Sequence, residues 1–380
     1  MPASTESATL LRLLLADAPA AALRRLLDSH GSAEAACAAG PRDWASHGLD
    51  AGVRARIRTP DPVALGQAER WLQADAHHLL GWGDPDYPPL LKRIASPPAA
   101  LFVAGDPALL WRPAVAVVGS RAATAGGCAN ASRFATELSR AGLCVASGLA
   151  AGIDAAAHRA TLEAGGATVA VLGTGPDIAY PARHRPLLDR VAGEGAVASE
   201  HLPGTRPLRQ HFPSRNRILA GLCLGTLVVE AAERSGALIT ARLAAEAGRE
   251  VFALPGSIHN PMARGCHRLI REGAQLVETP AEVLDALAAQ ATALARALRG
   301  TLEAGLVAPP PGPESPAGGP GLPDDHYNNL WDALGFDPTS MDELVERTGL
   351  TAAMLSSMLQ ALELDGRVAA EHGRYARIRV

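Results

Sequence analysis

The segment Thr205–Arg217 combines a run of cations with an aromatic ring. Phe212, one of only five phenylalanines in the chain, lies in it, and no acidic residue does. Its cations are Arg206, Arg209, Arg215 and Arg217. This is the combination that single-stranded nucleic acid needs, because cations follow the phosphates while a ring stacks on a base, which is worth roughly 1–3 kcal/mol. The alternative is that Phe212 fills a core and the arginines pair with distant acids.

A second candidate site is the turn Gly119, Ser120 and Arg121, which follows the apolar run 115–118. It lacks the GxGxxG pattern, and the next apolar run ends in Ser147 and Gly148 rather than in an acid that could hold a ribose. A nicotinamide dinucleotide site is therefore not expected. Backbone N–H groups at the following helix start could hold a phosphate, with Arg121 as a charged fork. Alternatively, Gly119 only permits a tight turn.

A third candidate is the pair Ser235 and Gly236, which follows the apolar run 226–229. Ser235 has the character of a helix N-cap, so the first amides of that helix would point back toward the same edge of the sheet. The sequence leaves open a second anion site or a simple capped helix.

Signals for catalysis are weak. Asp154 and His158 are four residues apart on a predicted helix, but neither GxSxG nor HExxH occurs. Lys92 is the only lysine and is not preceded by glycine, which excludes a P-loop. The five cysteines include no CxxC pair, so we expect neither a disulfide framework nor a zinc site, and this favours a reducing cytoplasm. We expect no catalytic residue, cofactor or metal.

The elements that would position these residues are short apolar runs separated by longer alanine-rich amphipathic stretches. The runs are 115–118, 143–146, 168–172, 196–198, 226–229 and 251–254. Continuous β-branched runs of this kind are typical of a parallel sheet covered on both faces. They predict an α/β domain with a doubly wound sheet, whose ligands bind at the carboxyl ends of the strands.

The ends of the chain differ from this middle part. Helical periodicity over 10–27, 33–39 and 50–57 predicts a small all-helical domain. Between Pro309 and Pro323, seven prolines and four glycines indicate a semi-rigid linker. Three short helices and a hairpin after it predict a winged helix. The predicted domains are residues 1–78, 79–300, 301–323 as linker, and 324–380.

The overall charge argues against a protein coated in positive charge. The formal net charge of the 380 residues is −4, with a pI near 6.3. Any nucleic-acid site is then a local patch. The only apolar run near the N-terminus, Leu10 to Leu15, is interrupted by Arg12, so neither a signal peptide nor a membrane span is expected.

Many motifs, in order over about 200 residues, resemble the bacterial DNA-processing protein family DprA, also called Smf. The motifs are Tyr87-Pro-Pro-Leu-Leu, Gly119-Ser-Arg, Ser147-Gly-Leu-Ala-Ala-Gly-Ile-Asp154, Ala157-His158, Gly173-Thr-Gly175, Tyr180-Pro181, Ser199-Glu200, Phe212-Pro-Ser-Arg-Asn-Arg217, Ser235-Gly-Ala-Leu-Ile-Thr240 and Leu254-Pro-Gly256. The helical N-terminal region is similar to the family's SAM-like domain, and the C-terminal winged helix extends the similarity to nearly the whole chain.

The resemblance implies an extended Rossmann-like fold that binds single-stranded DNA, forms a homodimer and helps load the recombinase RecA during natural transformation. The residues expected to contact the strand are Gly119, Ser120, Arg121, Ser147, Gly148, Arg209, Phe212, Arg215, Asn216, Arg217, Ser235 and Gly236. Arg209 replaces a lysine that is frequent in the family, and an arginine keeps the charge and adds a planar fork. Departures from the family pattern are Gly126, His184 and His267.

Two other functions compete with this interpretation. The sheet also resembles that of the phosphoribohydrolases, but Pro255-Gly256-Ser257 lacks the glutamate of their PGGxGTxxE signature. A transcription regulator would need basic or amide side chains on the third helix of the winged helix. That helix, 352–364, has no basic residue, and residues 324–380 hold ten acids against five arginines. We therefore expect this domain to contact protein or support a dimer.

Overall fold

The computed structural model describes residues 5–305, 329–331, 333–334, 339–364, 368–371 and 374–377. The chain divides into two units, Met1–Val307 and Ala308–Val380. Among the described residues, no helix is long and apolar enough to cross a membrane.

The first unit begins with short helices. They are α1 (Thr5–Leu15), α2 (Ala20–His30), α3 (Ala33–Ala38), α4 (Pro41–Ser46), α5 (Ala51–Arg58) and α6 (Pro62–Leu72). The periodic stretch predicted over 10–27 is two helices, because Asp17 adopts a φ of 52° and Pro19 precedes the second one. Asp50 and Asp61 cap α5 and α6 by accepting hydrogen bonds from first-turn amides.

The same unit continues as an α/β sheet. Its elements are β1 (His77–Gly81), α7 (Pro89–Lys92), β2 (Ala100–Gly105), β3 (Ala114–Val118), α8 (Ala125–Arg140), β4 (Cys144–Ser147), α9 (Ile153–Glu163), β5 (Thr168–Leu172), α10 (Arg185–Glu194), β6 (Ala196–Ser199), α11 (His211–Leu222), β7 (Gly225–Val228), α12 (Gly236–Glu246), β8 (Glu250–Ala253), α13 (Arg264–Arg271), β9 (Gln275–Leu276) and α14 (Pro280–Gly305).

The sheet confirms the predicted doubly wound, mostly parallel fold. Its order is β1-β2-β6-β5-β4-β3-β7-β8-β9. The six strands β5-β4-β3-β7-β8-β9 follow the 3-2-1-4-5-6 order of a Rossmann fold. Beyond β5 the sheet continues with the parallel strand β6, then β2, which is antiparallel to β6, and β1, which is antiparallel to β2. The chain leaves β3 toward β4 and later returns to its other side as β7. The topological switch point, where doubly wound sheets bind ligands, therefore lies at the carboxyl ends of β3 and β7.

Strand β3 shows why the predicted runs are continuous rather than alternating. Val115 and Val117 belong to the core beneath α8, α9 and α14, whereas Ala116 and Val118 belong to the core beneath α11, α12 and α13. Since successive side chains point to opposite faces, a strand covered on both sides has no polar face.

Two of the predicted domain boundaries fall inside elements of the structure. Strand β1 starts at His77, two residues before the expected start of the sheet domain. Helix α14 continues through 301–305, which the sequence assigned to the linker, because the prolines begin only at Pro309. The rest of the predicted linker lies outside the described residues.

The second unit has the elements of a winged helix. They are β10 (Thr339–Ser340), α15 (Met341–Thr348), α16 (Ala352–Leu364), β11 (Val368–Glu371) and β12 (Arg374–Arg377), with the strands in the order β10-β12-β11. Ser340 and Glu343 form a reciprocal capping box at the start of α15. Leu344, Leu355 and Leu359 are buried in its core. The helix predicted over 328–334 is described only in part.

Candidate nucleic-acid interface

A cleft of about 720 Å³ opens at the carboxyl ends of β3 and β7, where the topology places the switch point. The predicted residues that line it are Gly119, Ser120, Arg121, Arg209, Phe212, Arg215, Asn216, Ser235 and Gly236. Three predicted residues, Ser147, Gly148 and Arg217, do not line it. The cleft therefore brings together residues from three separate parts of the chain.

One wall of the cleft is aromatic and cationic. The Arg121 guanidinium lies 5.6 Å from the centre of the Phe212 ring. The Tyr180 ring is 5.1 Å from that of Phe212 and tilted by 40°, and Tyr180 is 45% exposed. Phe212 is half-buried at the cleft rather than in a core, so the alternative that it fills a core is wrong. Arg209 is exposed beside it.

Tyr180 was missing from the predicted contact residues. It follows β5, whose carboxyl end lies at the same edge of the sheet as those of β3 and β4. The signal that could have identified it is a rare residue type, one of four tyrosines, placed just after a predicted strand.

Arg215 supports the floor of the cleft from inside the protein. It is 5% exposed, and its guanidinium donates to the Val171 carbonyl and, over 3.2 Å, to Asn216 Oδ1. A Cβ on Gly148 would collide with this guanidinium, so the glycine is needed for the close approach. Burial lowers the pKa of Arg215 to about 10, and the nearby Asp154 carboxylate opposes that shift.

Asp154 is the buried partner of Arg215. Its Oδ2 atom accepts hydrogen bonds from the amides of Gly148 at 3.1 Å and Ala150 at 3.3 Å. Burial raises the pKa of Asp154, and the charge of Arg215 and these amides act in the opposite direction. The two hydrogen bonds of Asp154 therefore tie α9 to the loop that follows β4.

Arg217 and Ser147 require a correction, because both face away from the cleft. Arg217 forms an ion pair with Glu200 at 2.5 Å, with the two side chains only 19% and 16% exposed. Residues two apart on a helix point about 200° apart, so Arg215 and Arg217 of α11 cannot serve the same surface. Ser147 is fully buried, and its hydroxyl donates to the Val117 carbonyl at 2.7 Å.

The start of α8 is occupied by the protein's own carboxylate. Glu230 accepts from the Thr124 amide at 2.9 Å and the Thr124 hydroxyl at 2.6 Å, and its backbone carbonyl accepts from the Ser120 amide at 2.7 Å. A Cβ on Gly119 would lie 2.5 Å from Ile153 Cγ1. Of the two roles that the sequence left open for this turn, the structure supports the tight turn, since the helix start already has its anion.

The start of α12 is different. Ser235 caps it by accepting from the Ala237 amide at 3.3 Å, as predicted. Gly236 is exposed, and a Cβ built on it would meet no atom within 4 Å. Arg234, which the sequence analysis did not include, lines the cleft beside them. This helix start can accept an anion from solvent.

Asp154 and His158 do not form an acid–base pair. His158 is fully buried, and its Nδ1 donates to Thr168 Oγ1 at 2.7 Å, because the hydroxyl proton of Thr168 is used on the Val145 carbonyl. Burial lowers the pKa of His158 to about 3, with Arg215 acting in the same direction. A histidine held neutral among these groups has a structural role.

His184 also has a structural role. Its Nδ1 donates to the Leu149 carbonyl at 2.9 Å. Leu149 adopts a φ of 58°, a left-handed conformation that is costly for a residue with a side chain. The hydrogen bond helps to hold the loop that carries Gly148, and the Arg215 guanidinium packs against Gly148.

Comparison with known proteins identifies the family. The chain matches the family model of DNA recombination-mediator protein A over residues 78–288 and that of the DprA winged helix domain over residues 308–374. The chain belongs to the DprA/Smf family. The resemblance noted in the sequence is thus confirmed, and the family acts in DNA processing and recombination.

Relatives cover most of the chain. It is 41% identical to protein Smf of Escherichia coli K12 over 312 residues, 81% of this chain and 79% of that one. DNA processing protein DprA of Streptococcus pneumoniae R6 is 47% identical over 225 residues, 57% of this chain and 79% of that one.

Two solved structures of DprA proteins are similar. The X-ray structure of S. pneumoniae DprA has a TM-score of 0.65 at 37% identity and covers 75% of this chain and 98% of that one. The Helicobacter pylori protein has a TM-score of 0.51 at 26% identity, covering 56% of this chain and 96% of that one. The H. pylori structure was described for its single-stranded DNA binding mode.

Proposed function

We propose that this protein binds single-stranded DNA in the cleft and acts without catalysis as a mediator that loads a RecA-type recombinase. The observation that carries the proposal is the Arg121 guanidinium over the Phe212 ring, with Tyr180 beside it, at the switch point of the sheet. Rings that are accessible from solvent stack on bases, and a cation beside them pairs with the phosphates.

The charges of the cleft support an anionic ligand. Within residues 5–305, neither Arg121 nor Arg209 forms an ion pair, so both cations are available to a phosphate. Asp154, the acid that lines the cleft, is 6% exposed and bound by two amides, and the charge of Arg215 acts on it. The same engagement argues against Asp154 as a general base, so the phosphoribohydrolase alternative gains no support from the cleft.

A direct test measures binding of labelled oligonucleotides by fluorescence anisotropy. We expect micromolar or tighter affinity for an unstructured strand, weaker binding of the same sequence as a duplex, and a steep loss of affinity with salt, because bound phosphates release counterions. Arg121→Ala should weaken binding whatever the base sequence. Arg140→Ala, which removes an exposed arginine at the other end of α8, is the matched control. Equal affinity for duplex and single strand, or indifference to salt, would refute the proposal.

The partners belong to the same proposal and rest on the family resemblance. We expect a homodimer, for which α12 offers the half-buried side chains of Leu238 and Ile239, and a winged helix that contacts protein. We expect the protein in the cytoplasm, because the proposed role requires DNA and a recombinase. RecA-catalysed strand exchange on DNA coated with single-strand-binding protein should start faster when the chain is added. No acceleration would refute the loading role and leave strand binding intact.

A further inference from the structure

The helical region before the sheet brings two histidines and an aspartate together outside the cleft. His30 ends α2, Asp43 lies in the first turn of α4, and His47 caps the end of α4. The His30 Nε2 and His47 Nδ1 atoms lie 2.8 Å and 3.4 Å from the same oxygen, Asp43 Oδ2. The three ligand atoms are all within 4.8 Å of one another. We propose that this triad binds one divalent zinc-class metal ion.

The hydrogen bonds of Ser29 are compatible with a His47 whose Nδ1 is free to bind a metal. The single hydroxyl proton of Ser29 is donated to the Arg25 carbonyl at 2.9 Å. Ser29 Oγ can then accept at its 3.0 Å contact with His47 Nε2, and in that arrangement the imidazole proton is on Nε2. The lone pair of neutral His47 is then on Nδ1, the atom that faces Asp43.

That lone pair faces only hydrogen-bond acceptors. Besides the Asp43 carboxylate, the Asp43 carbonyl lies 3.0 Å from His47 Nδ1. Ser46 Oγ is 3.4 Å away, but its proton is used on the same carbonyl at 2.6 Å. A lone pair among oxygens is repelled unless a positive charge lies between them. That charge is either the imidazole proton, carried on Nδ1 instead of Nε2, or a cation.

The position of His30 favours a metal cation. A second imidazole nitrogen converges on the same carboxylate oxygen, as the ligands of one ion do. Tetrahedral zinc with bonds of 2.0–2.2 Å separates its ligand atoms by about 3.4 Å, which matches the distance from Asp43 Oδ2 to His47 Nδ1, whereas His30 Nε2 would move outward by about 0.6 Å. The hydrogen bond from His47 Nε2 to Ser29 is the outer contact that orients a metal-ligating histidine.

The chemistry of the three side chains also suits zinc. Two imidazoles and a carboxylate are preferred ligands of Zn²⁺ and of Co²⁺, its spectroscopic substitute. The side chains of His30, Asp43 and His47 are 23%, 34% and 17% exposed, so water can complete the coordination. The absence of a CxxC pair argues only against a cysteine-ligated zinc site, and a site built from histidine and aspartate needs no cysteine.

The ion would connect α2 to α4 across α3. Helices α3 and α4 have six residues each, which is too short for stability on their own. An ion bound by the folded state alone stabilises that state by mass action. Zinc should therefore raise the melting temperature of the protein.

The test uses the full untagged chain, stripped with a chelator and titrated with ZnCl₂ in a calorimeter. We expect one zinc ion per chain, and Co²⁺ at the same site should show the visible bands of tetrahedral coordination. Asp43→Asn and His47→Gln should lose the bound ion. His259→Gln, which replaces an exposed histidine outside the triad, should retain it.

Ser29→Ala tests the orienting contact without removing a ligand. Loss of such a contact should lower zinc affinity roughly 10–100-fold. Circular dichroism checks that each variant is folded, and zinc should raise the melting temperature of the wild type but not of Asp43→Asn. The proposal is overturned if the wild type binds no zinc at micromolar concentrations, or if Asp43→Asn binds it equally well. The triad is then held together by hydrogen bonds from the two imidazoles to Asp43.

Discussion

Two pairs of arginines at the sheet edge differ in whether the protein already uses their charge. Arg121 and Arg209 are exposed at the cleft, and neither has an ion-pair partner within residues 5–305. Arg215 is buried and donates to the Val171 carbonyl and to Asn216, and Arg217 is paired with Glu200. Counting the arginines of a basic segment therefore overestimates how many phosphates it can bind. In 205–217, two of the four arginines are engaged inside the protein.

The largest effect should come from Arg215→Ala. This change leaves the Asp154 carboxylate buried without its counter-charge, and removing one partner of a buried pair costs about 3–5 kcal/mol of unfolding free energy. Arg209→Ala, at an exposed position, should stay within about 0.5 kcal/mol of the wild type. Chemical denaturation measures both values. Equal stability of the two variants would contradict the structural role of Arg215.

Acid should destabilise the protein through His158, which is buried near Arg215. Its folded pKa is about 3 against an ordinary 6.5, so its contribution to stability is complete above pH 6.5 and is lost as the pH falls toward 3. The free energy of unfolding should fall by roughly 1.4 kcal/mol per pH unit from this group. His158→Asn keeps a donor for Thr168 but does not titrate. Denaturation at pH 6.5 and 4.5 should show a shallower loss in this variant, and parallel losses would contradict the assignment.

The Phe212 ring, which lies beside Arg121 and Arg209, should contribute to DNA binding rather than to stability. Phe212→Ala should weaken single-strand affinity by roughly 1–3 kcal/mol, the usual contribution of one stacked base. Phe212→Trp keeps an aromatic face and serves as the matched control in the anisotropy assay. Equal affinities of the alanine and tryptophan variants would mean that no base stacks here.

The smallest effect should be a change in salt dependence. Arg121→Ala removes one phosphate contact, so the slope of log affinity against log salt should become shallower by about 0.7 for a single strand. Arg217→Ala should leave the slope unchanged, because that charge faces Glu200. Titrations at four or more salt concentrations measure the slopes. An equal change in both variants would place Arg217 on the strand after all.

The sequence predicts the interior of the sheet better than its edges. Runs such as 168–172 are recognisable because a strand covered on both faces is apolar throughout. By contrast, β1 begins with His77 and His78, and β9 has only two residues, both exposed, so neither carries such a run.

The site could be predicted to the level of segments but not of side-chain directions. The turn at Arg121, the ring of Phe212 and the cap at Ser235 follow from local patterns. The direction of Arg217 depends on the start of helix α11 at His211, because that start sets which way each of its arginines points. The anion at the start of α8 comes from Glu230, 106 residues away from Thr124, and no local pattern reports a contact over that distance.

The carboxylate of Glu230 also bears on how quickly a bound strand can leave. Because Glu230 already places a carboxylate at the start of α8, a phosphate at this edge would meet the exposed arginine side chains instead of that helix start. Contacts through flexible side chains break one at a time, so a strand can be released segment by segment. The proposed loading role would require a short residence time for each nucleotide more than a high affinity.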